Sequence, residues 1–491
     1  MSMSDAARTT TTRTRTPPKR TFSDVELDLD QLAESFDVPP STSSSASSAM
    51  AIASSSASAS SSSTFASPCP PHPATILITD SPASRSKATL LLTSKQKPKH
   101  PHPRTSMQHP SSSAPIKVGV LGATGTVGQR FLTLLAAHPW FAVDALGASP
   151  RSAGKKYKDA VSWKQSTPIP QGVRDVVVRE CRPENFAQCK IVFSGLDADV
   201  AGEIEEAFRA ANLAVFSNAK NFRRDPHVPL IVPLVNPHHL SIIPQQQALF
   251  SPALTSGFIV TNANCSTTGY VIPLAAMEKA FGPLECVMVT TLQAISGAGY
   301  PGVPSLDILD NVIPYISGEE EKIEWETLKI LGGISTKESE VTSADGQQVV
   351  KKEVKTFDMH AAHPLRVSAS CNRVPVIDGH TECVSVRFAR RPPPSPQQVR
   401  EALAAYTPEA QALGCPSAPC RAIVVHEEPD RPQPRLDRYY QDGAGVSVGR
   451  VRQCQVLDVK FVVLANNVSI GAATSSIINA EYAVLKNVVQ L

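Results

Sequence analysis

The chain has 491 residues and a net charge of +3 at pH 7. So small a charge points to neither a nucleic-acid nor a membrane-surface partner. No apolar run reaches the roughly 18 residues of a membrane span, and no signal-peptide core follows the N-terminus. The length allows about three domain-sized units, but the composition is not uniform along the chain.

Residues 1–115 predict a disordered extension. They are rich in Ser, Thr, Pro and Ala, and runs such as S-T-S-S-S-A-S-S within 41–64 have no apolar face to bury. Such a segment cannot offset the entropy lost on ordering. A dispensable tail, regulatory disorder and organellar targeting all stay open, although the acidic V-E-L-D-L-D stretch at 25–30 argues against a transit peptide. Met107 is an alternative start.

From residue 116 the chain has the pattern of an α/β protein. An apolar strand at 116–121 leads into G-A-T-G-T-V-G, then a helix at 129–138 ended by Pro139, then a strand at 141–147. This βαβ order predicts a dinucleotide-binding turn, since glycines let backbone amides approach a pyrophosphate at a helix N-terminus. A turn with glycines for steric reasons alone is the alternative. The predicted cofactor-binding residues are Gly122, Thr124, Gly125, Thr126, Val127 and Gly128.

The segment after the second strand favours NADP over NAD. An NAD site needs an acidic residue at the end of that strand to bind the ribose hydroxyl, whereas Asp144 lies inside it. The strand leads instead to Ser149, Arg151 and Ser152, whose hydroxyls and guanidinium suit a 2′-phosphate. A solvated arginine on a loop is the alternative interpretation.

Further strands are predicted at 190–196, 213–218, 229–236 and 257–264, each ending in small polar residues, with a helix through residue 211. Cys265 follows the last strand and opens a helix. We expect the helix dipole to lower the pKa of this thiol, as a nucleophile requires; a small buried cysteine is the alternative. The ten cysteines show no C-x-x-C pair and no Cys/His cluster. This predicts no metal site and a reducing compartment, by default the cytoplasm.

N-A-N-C-S-T-T-G (262–269), with the motifs after it, resembles the aspartate-β-semialdehyde dehydrogenase family in the branch typical of fungi and archaea. The resemblance covers 116–491 and implies that Cys265 is the nucleophile. In T-L-Q-A-I-S-G-A-G it implies that Gln293 orients the substrate and that Ser296 and Gly297 contact the nicotinamide. In N-R-V-P-V-I-D-G-H it implies that Arg373 binds the substrate α-carboxylate and His380 is the acid/base.

Two further segments resemble the family's phosphate-binding regions. S-N-A-K-N-F-R-R (217–224) implies Asn221 and Arg223, and G-E-E-E-K (318–322) implies Glu319 near the substrate amine and Lys322 near phosphate. A solvated Glu/Lys-rich helix start is the alternative for the second. In N-N-V-S-I-G-A-A (466–473), Asn467 matches a nicotinamide contact, although Asn466 replaces a frequent histidine and T-S-S follows where small glycines are common.

The implied fold is a Rossmann-type doubly wound parallel sheet with a second α+β catalytic and dimerisation domain. We expect an NADP-binding domain at 116–264, completed by 466–491, and a catalytic domain at 265–465. The implied reaction is NADP-dependent interconversion of 4-phospho-L-aspartate and L-aspartate 4-semialdehyde plus phosphate through a cysteine thioester, with backbone amides near Cys265 holding the oxyanion. The family serves lysine, threonine, methionine and isoleucine biosynthesis, and a homodimer or homotetramer is expected. The alternatives are a malonyl-CoA reductase-like relative and a non-catalytic dinucleotide-binding sensor.

Overall fold

The protein is represented by a computed structural model. It describes residues 114–342 and 349–490, with side chains described outside 339–352. The predicted disordered extension therefore lies outside the described residues except for its last two positions, and so does Met107. Among the described helices, none has the length and apolar character needed to cross a bilayer.

Seven parallel strands form the first sheet, and helices follow most of them. The order in this sheet is β3-β2-β1-β4-β5-β7-β6. The elements of this half are β1 (Ile116–Leu121), α1 (Thr126–Leu135), β2 (Phe141–Ala148), α2 (Tyr157–Ala160), α3 (Gln171–Arg174), β3 (Arg179–Glu180), β4 (Ile191–Ser194), α4 (Ala198–Ala210), β5 (Ala214–Ser217), β6 (Leu230–Ile231), α5 (Ile243–Ala248), β7 (Phe258–Asn262) and α6 (Cys265–Phe281).

Alternate residues of the first sheet enter two separate cores, one on each face. Phe193 of β4 stacks on Phe131 of α1, with ring centroids 5.2 Å apart. The preceding residue, Val192, belongs to the opposite cluster, with Phe208 of α4. Because successive side chains of a strand point to opposite faces, this division shows that helices cover both faces. The predicted doubly wound sheet is confirmed.

A mixed six-stranded sheet forms the second half, in the order β11-β8-β12-β15-β14-β13, beside a two-stranded ribbon of β9 and β10. Its elements are β8 (Leu284–Gln293), α7 (Ser305–Ile308), α8 (Glu319–Leu331), β9 (Ile334–Thr342), β10 (Val349–Phe357), β11 (Arg366–Arg373), β12 (His380–Phe388), α9 (Pro396–Ala405), α10 (Glu409–Ala412), β13 (Ile423–Val425), α11 (Pro434–Asp437), β14 (Val446–Gln453), β15 (Val459–Ala465) and α12 (Thr474–Leu485).

Three helices position the candidate site. α6 leaves the end of β7 in the first sheet and packs across β12 and β15 of the second. α8 packs against both α6 and β11, and the C-terminal helix α12 packs on β4, β5 and β7. The first turn of α6 therefore lies where the two sheets meet α8.

One predicted strand is much shorter than expected. Only Leu230 and Ile231 of the segment 229–236 pair with β7. The side chain of Asn236 turns back and accepts the N–H of Val232 at 2.9 Å, and Pro233 has no N–H to give to a ladder. A side-chain-closed turn therefore replaces the rest of the strand.

Candidate active site

Cys265 and His380 form a close pair although 115 residues separate them. The Sγ atom of Cys265 lies 3.2 Å from Nε2 of His380. Cys265 is the first residue of α6, and the side chain of Asn264 caps this helix by accepting the N–H groups of Ser266 and Thr267 at 2.9 and 3.1 Å. His380 begins β12, on which α6 packs. The cap and the helix–strand packing together place the thiol over the imidazole.

The imidazole of His380 is held in one tautomer. Its Nδ1 atom accepts the backbone N–H of Ala294 at 3.0 Å, so the proton of the neutral ring is on Nε2, facing the sulfur. Burial, with a further effect from the positive charge of Arg373, lowers the pKa of His380 to about 3. At neutral pH the ring is therefore an uncharged N–H donor toward Cys265.

The thiol of Cys265 is not acidified in the way the sequence predicted. Desolvation, followed by the negative charge of Glu319, raises the pKa of Cys265 to about 12. Arg223, Arg373 and the N–H of Ser266 act in the opposite direction, but they do not outweigh these two effects. The prediction of a lowered pKa is wrong because it considered the helix terminus without the burial of the thiol.

A buried carboxylate joins several predicted residues beside the thiol. Glu319, the first residue of α8, accepts the side-chain amides of Asn264 at 2.6 Å and Gln293 at 3.0 Å, and the ammonium of Lys322 at 3.1 Å. Gln293 also donates to the hydroxyl of Ser266. Burial would raise the pKa of Glu319, but Lys322 and these donors hold it below its ordinary value. The site therefore contains a fixed negative charge.

Arg373 lies near the imidazole of His380. Its Nη1 donates to the carbonyl of Ala294 at 2.7 Å, while the N–H of the same residue holds His380. A Cβ atom on Gly297 would lie 3.0 Å from Nη1 of Arg373 and 3.1 Å from Cε1 of His380. Gly297 is therefore in contact with both side chains, and the three residues form one packed group.

The structure brings Arg223, but not Asn221, toward the helix that begins with Cys265. Arg223 donates from Nη1 to Glu326 at 2.8 Å and from Nη2 to the carbonyl of Asn218 at 3.0 Å. Glu326 in turn accepts the backbone N–H of Asn264 at 2.6 Å. The exposed Asn221 instead donates to the carbonyl of Ala198 at the start of α4.

The glycine turn has the form that a pyrophosphate needs. Gly122 has φ +68°, and a Cβ there would lie 2.5 Å from the carbonyl oxygen of Gly195. A Cβ on Gly128 would lie 2.2 Å from the carbonyl oxygen of Gly122. α1 begins at Thr126 with no side-chain cap and no acidic residue in its first turn. Its first N–H groups are therefore available to an anion.

The predicted 2′-phosphate contacts lie in the turn after β2. Ser149 and Arg151 are exposed in the turn that follows β2, and Ser152 donates its N–H to the carbonyl of Ser149 at 2.9 Å. Asp144 lies inside β2 and pairs with Lys117 at 3.1 Å. The residues that directly follow this strand, 149–154, therefore include no carboxylate.

The segment after β15 reaches the thiol. Asn467 donates to the hydroxyl of Ser296 at 2.8 Å and accepts the N–H of Gly379 at 2.9 Å. A single π-helical turn, Ser469–Ala473, follows. A Cβ on Gly471 would lie 2.9 Å from Cβ of Cys265. The predicted residues Ser296 and Asn467 therefore lie together at one side of the site.

Three residues of the site were not found from the sequence. Asn264 had a local signal, since asparagine before a helix is a preferred cap. Asn218 lies in the same S-N-A-K-N-F-R-R motif from which Asn221 was chosen. Glu326 had no signal, because it is one of several glutamates in α8. Among residues 114–342 and 349–490, no His, Cys, Asp and Glu side chains cluster in a way that could hold a metal ion.

Comparisons with known proteins match both halves of the chain. Residues 117–243 match the family model described as semialdehyde dehydrogenase, NAD binding domain, and residues 274–470 match semialdehyde dehydrogenase, dimerisation domain. The aspartate-semialdehyde dehydrogenase of Cryptococcus neoformans is 66% identical over 377 residues, which are 76% of this chain and 98% of that protein. The enzyme of the same name from Archaeoglobus fulgidus is 44% identical over 372 residues, covering 76% of this chain and 99% of that protein.

Solved structures give the same result. The aspartate semialdehyde dehydrogenase of Candida albicans, crystallised with NADP, is 52% identical, with a TM-score of 0.66 over 76% of this chain and 100% of that one. Aspartate semialdehyde dehydrogenase II of Vibrio cholerae, complexed with ASA, is 26% identical, with a TM-score of 0.56 over 76% of this chain and 99% of that one. With both family models matched in order and a relative at 66% identity, the chain belongs to the aspartate-semialdehyde dehydrogenase family.

Proposed function

We propose that the protein catalyses the NADP-dependent interconversion of 4-phospho-L-aspartate and L-aspartate 4-semialdehyde plus phosphate through a thioester on Cys265. The observation that carries this proposal is the 3.2 Å contact between Sγ of Cys265 and Nε2 of His380. Arg373 and Arg223 both act on the thiol electrostatically. The relatives named for this activity and the NADP-bound relative from Candida albicans support the proposal. In this family the reaction serves lysine, threonine, methionine and isoleucine biosynthesis.

Acyl transfer begins at the sulfur. The thiolate of Cys265 attacks the acyl carbon of the aspartyl phosphate, the carbon–oxygen bond to phosphate breaks, and phosphate leaves with the electron pair. Because the pKa of Cys265 is about 12, the thiolate is a minor form at neutral pH. Positive groups near the sulfur, Arg223 and Arg373, are the protein's means of stabilising it.

His380 is the best-placed donor for the oxyanion that forms on the acyl carbon. The sequence suggested backbone amides near Cys265, but the N–H groups of Ser266 and Thr267 already donate to Asn264. Nε2–H of His380 instead points to Sγ of Cys265, beside which the oxyanion forms. NADPH, when bound, supplies the hydride that reduces the thioester. The resting tautomer of His380 supports hydrogen-bond donation, and its role as acid/base stays a prediction.

Fixed charges complement each end of the substrate. Arg373 offers a guanidinium to the α-carboxylate, and the ionised Glu319 offers a partner to the α-ammonium. Arg223 and Lys322 supply positive charge for the phosphate, while Gln293 orients the acyl group beside the thiol. Asn221, which donates to Ala198, is the least supported of the proposed substrate contacts.

The cofactor residues follow the turn and strand ends described above. The glycine turn from Gly122 to Gly128 would hold the pyrophosphate, because Cβ atoms are excluded there. Ser149, Arg151 and Ser152 would hold the 2′-phosphate that distinguishes NADP. Ser296, Gly297 and Asn467 would contact the nicotinamide.

We propose a division into a cofactor-binding domain, 116–264 with 466–491, and a catalytic domain, 265–465. The packing of α12 on β4, β5 and β7 supports assigning the C-terminus to the first domain.

The match to a dimerisation domain supports a homo-oligomer, dimer or tetramer. The second half exposes large apolar side chains that such an interface could cover: Met288, Leu306, Leu309, Val312 and Tyr315. Light scattering of the purified protein tests the subunit number, and fluorescence microscopy of a tagged chain tests the proposed cytoplasmic location.

Turnover tests the proposed function. With aspartate semialdehyde, phosphate and NADP the protein should form NADPH, which is measured by its absorbance. With malonyl-CoA and NADPH no reaction should occur. Cys265→Ala should abolish turnover and keep NADP binding, and replacing the exposed Cys383 with alanine is the matched control. Oxidation of NADPH by malonyl-CoA alone would favour the reductase-like alternative. Binding of NADP without turnover of either substrate would favour a non-catalytic sensor.

A further inference from the structure

We propose that Glu326 is a positioning residue that holds Arg223 in the orientation needed for phosphate and links it to the start of the nucleophile's helix. The inference rests on the proposed function, because it assigns a partner to the phosphate-binding arginine. Glu326 touches no reacting atom of the proposed reaction. It acts through Arg223 and Asn264.

Each carboxylate oxygen of Glu326 has a different donor. Oε1 accepts Nη1–H of Arg223 at 2.8 Å, and Oε2 accepts the backbone N–H of Asn264 at 2.6 Å. The side chain is buried, with 2% of its surface exposed. Asn264 immediately precedes Cys265 and caps its helix. One buried carboxylate therefore spans the phosphate-binding arginine and the backbone next to the nucleophile.

Lys329, three residues later on the same helix face, holds the backbone of the same arginine. Its ammonium donates to the carbonyls of Arg223, Asp225 and Val228 at 2.8, 2.9 and 2.9 Å. In its charged form the ammonium has an acceptor for each of its three protons, while burial lowers the pKa of Lys329 to about 7. α8 therefore fixes the main chain of Arg223 through Lys329 and its guanidinium through Glu326.

The remaining contacts of Arg223 fix the plane of its guanidinium. Nη2 donates to the carbonyl of Asn218 at 3.0 Å. With Nη1 bonded to Glu326, each terminal nitrogen of the guanidinium therefore has one hydrogen bond to the protein. Nε–H is buried and has no hydrogen-bond partner among the described residues. Glu319, Lys322, Glu326 and Lys329 lie at i, i+3, i+7 and i+10 along α8, which is one helical stripe. The stripe thus begins with Glu319, the proposed partner of the substrate amine, and ends with Glu326 and Lys329, which bind Arg223.

Glutamine at position 326 separates this role from simple packing. Its size is nearly the same, but it has one acceptor oxygen for two donors, and its NH₂ group would face an N–H. We therefore expect Glu326→Gln to release either Arg223 or Asn264. Losing one hydrogen bond to a charged group weakens phosphate binding about tenfold or more.

Alkylation of Cys265 by iodoacetamide in the presence of inorganic phosphate measures this effect without turnover. Bound phosphate should change the alkylation rate of the wild-type protein saturably, and the half-effect concentration reports its affinity. In Glu326→Gln this concentration should rise about tenfold or more, with NADP binding unchanged. Glu324→Gln is the matched control, because Glu324 lies on the same helix and accepts the N–H of Ala369 at 3.0 Å as its one hydrogen bond within the described part of the chain, which an amide oxygen can still accept. The control should stay within about twofold of the wild type.

A double-mutant cycle tests whether Glu326 acts through Arg223. In an Arg223→Lys background, Glu326→Gln should raise the half-effect phosphate concentration by a further factor of less than about two. Glu326→Asp, which keeps two acceptor oxygens, should retain more phosphate affinity than the glutamine variant, and it serves if that variant does not fold. Wild-type phosphate affinity in Glu326→Gln, or equal effects in both backgrounds, overturns the inference. A wild-type protein with neither turnover nor a phosphate effect overturns the proposed function, and this inference with it.

Discussion

Replacing Gly297 with alanine should impair catalysis in a protein that still folds. The added Cβ would lie 3.0 Å from Nη1 of Arg373, and 3.1 and 3.2 Å from Cε1 and Nε2 of His380. Neither neighbour can move freely. Arg373 is bonded to the carbonyl of Ala294 at 2.7 Å, and His380 to the N–H of the same residue at 3.0 Å. The new methyl group therefore displaces at least one of two side chains that face the thiol.

The size of the effect follows from the displacement. Ordinary contacts of a Cβ begin near 3.4 Å, so the neighbours must move by a few tenths of an ångström. A misplacement of about 1 Å costs about 100-fold in rate, so we expect kcat/KM to fall about tenfold, or about 1.4 kcal/mol in transition-state stabilisation. Overpacking at one site lowers the free energy of unfolding by about 1–3 kcal/mol. At 25 °C the variant should remain folded.

Steady-state kinetics with aspartate semialdehyde, phosphate and NADP, together with thermal unfolding, measure both effects. Gly172→Ala is the control, because a Cβ there meets nothing within 4 Å and its φ is not positive. It should keep wild-type kcat/KM. A Gly297→Ala protein with wild-type kcat/KM would show that Arg373 and His380 tolerate displacement, and would refute the argument that their packing sets the reaction geometry.

Three further predictions follow from the site. The rate of Cys265 alkylation should rise about tenfold per pH unit from pH 7 to 10, since a pKa raised to about 12 leaves the thiolate fraction increasing throughout this range; a plateau near neutrality would contradict the assignment. Gly128→Ala should weaken NADP binding at least about tenfold, because its Cβ would lie 2.2 Å from the carbonyl oxygen of Gly122, and an unchanged Kd in a fluorescence titration would rule this out. Arg373→Lys should raise KM for aspartate semialdehyde about 10- to 100-fold, since lysine cannot replace the guanidinium fork; unchanged kinetics would remove Arg373 from the pocket.

Local patterns were sufficient to predict the first βαβ unit and the helix that begins with Cys265. The apolar strand at 116–121 and the glycine turn after it lie within a few residues of each other, and so do Asn264, Cys265 and the helix they open. Backbone conformation at this range depends on neighbouring residues, through steric limits on glycine and the capping preference of asparagine. The strand predicted at 229–236 is mostly absent, also for a local reason. The side chain of Asn236 closes a turn there, which the apolar pattern did not indicate.

Family motifs extended the prediction to residues that are distant in the chain, but not to their physical state. They singled out Cys265, His380, Arg373 and Glu319 from the sequence. They did not indicate that burial would raise the pKa of the thiol and lower that of the imidazole. Desolvation depends on what packs around a group from every side, which a motif does not contain.

The amino-acid sequence by itself determined the α/β class, the glycine turn, the position of Cys265 at a helix start and the family. Only the tertiary structure decided that His380 faces the sulfur as a neutral donor, that Glu326 is joined to Arg223, and that α8 supports both the main chain and the guanidinium of that arginine. The physical reason is that these contacts join elements about a hundred residues apart. Their distances and charges are set by how α6 and α8 pack against each other and the second sheet.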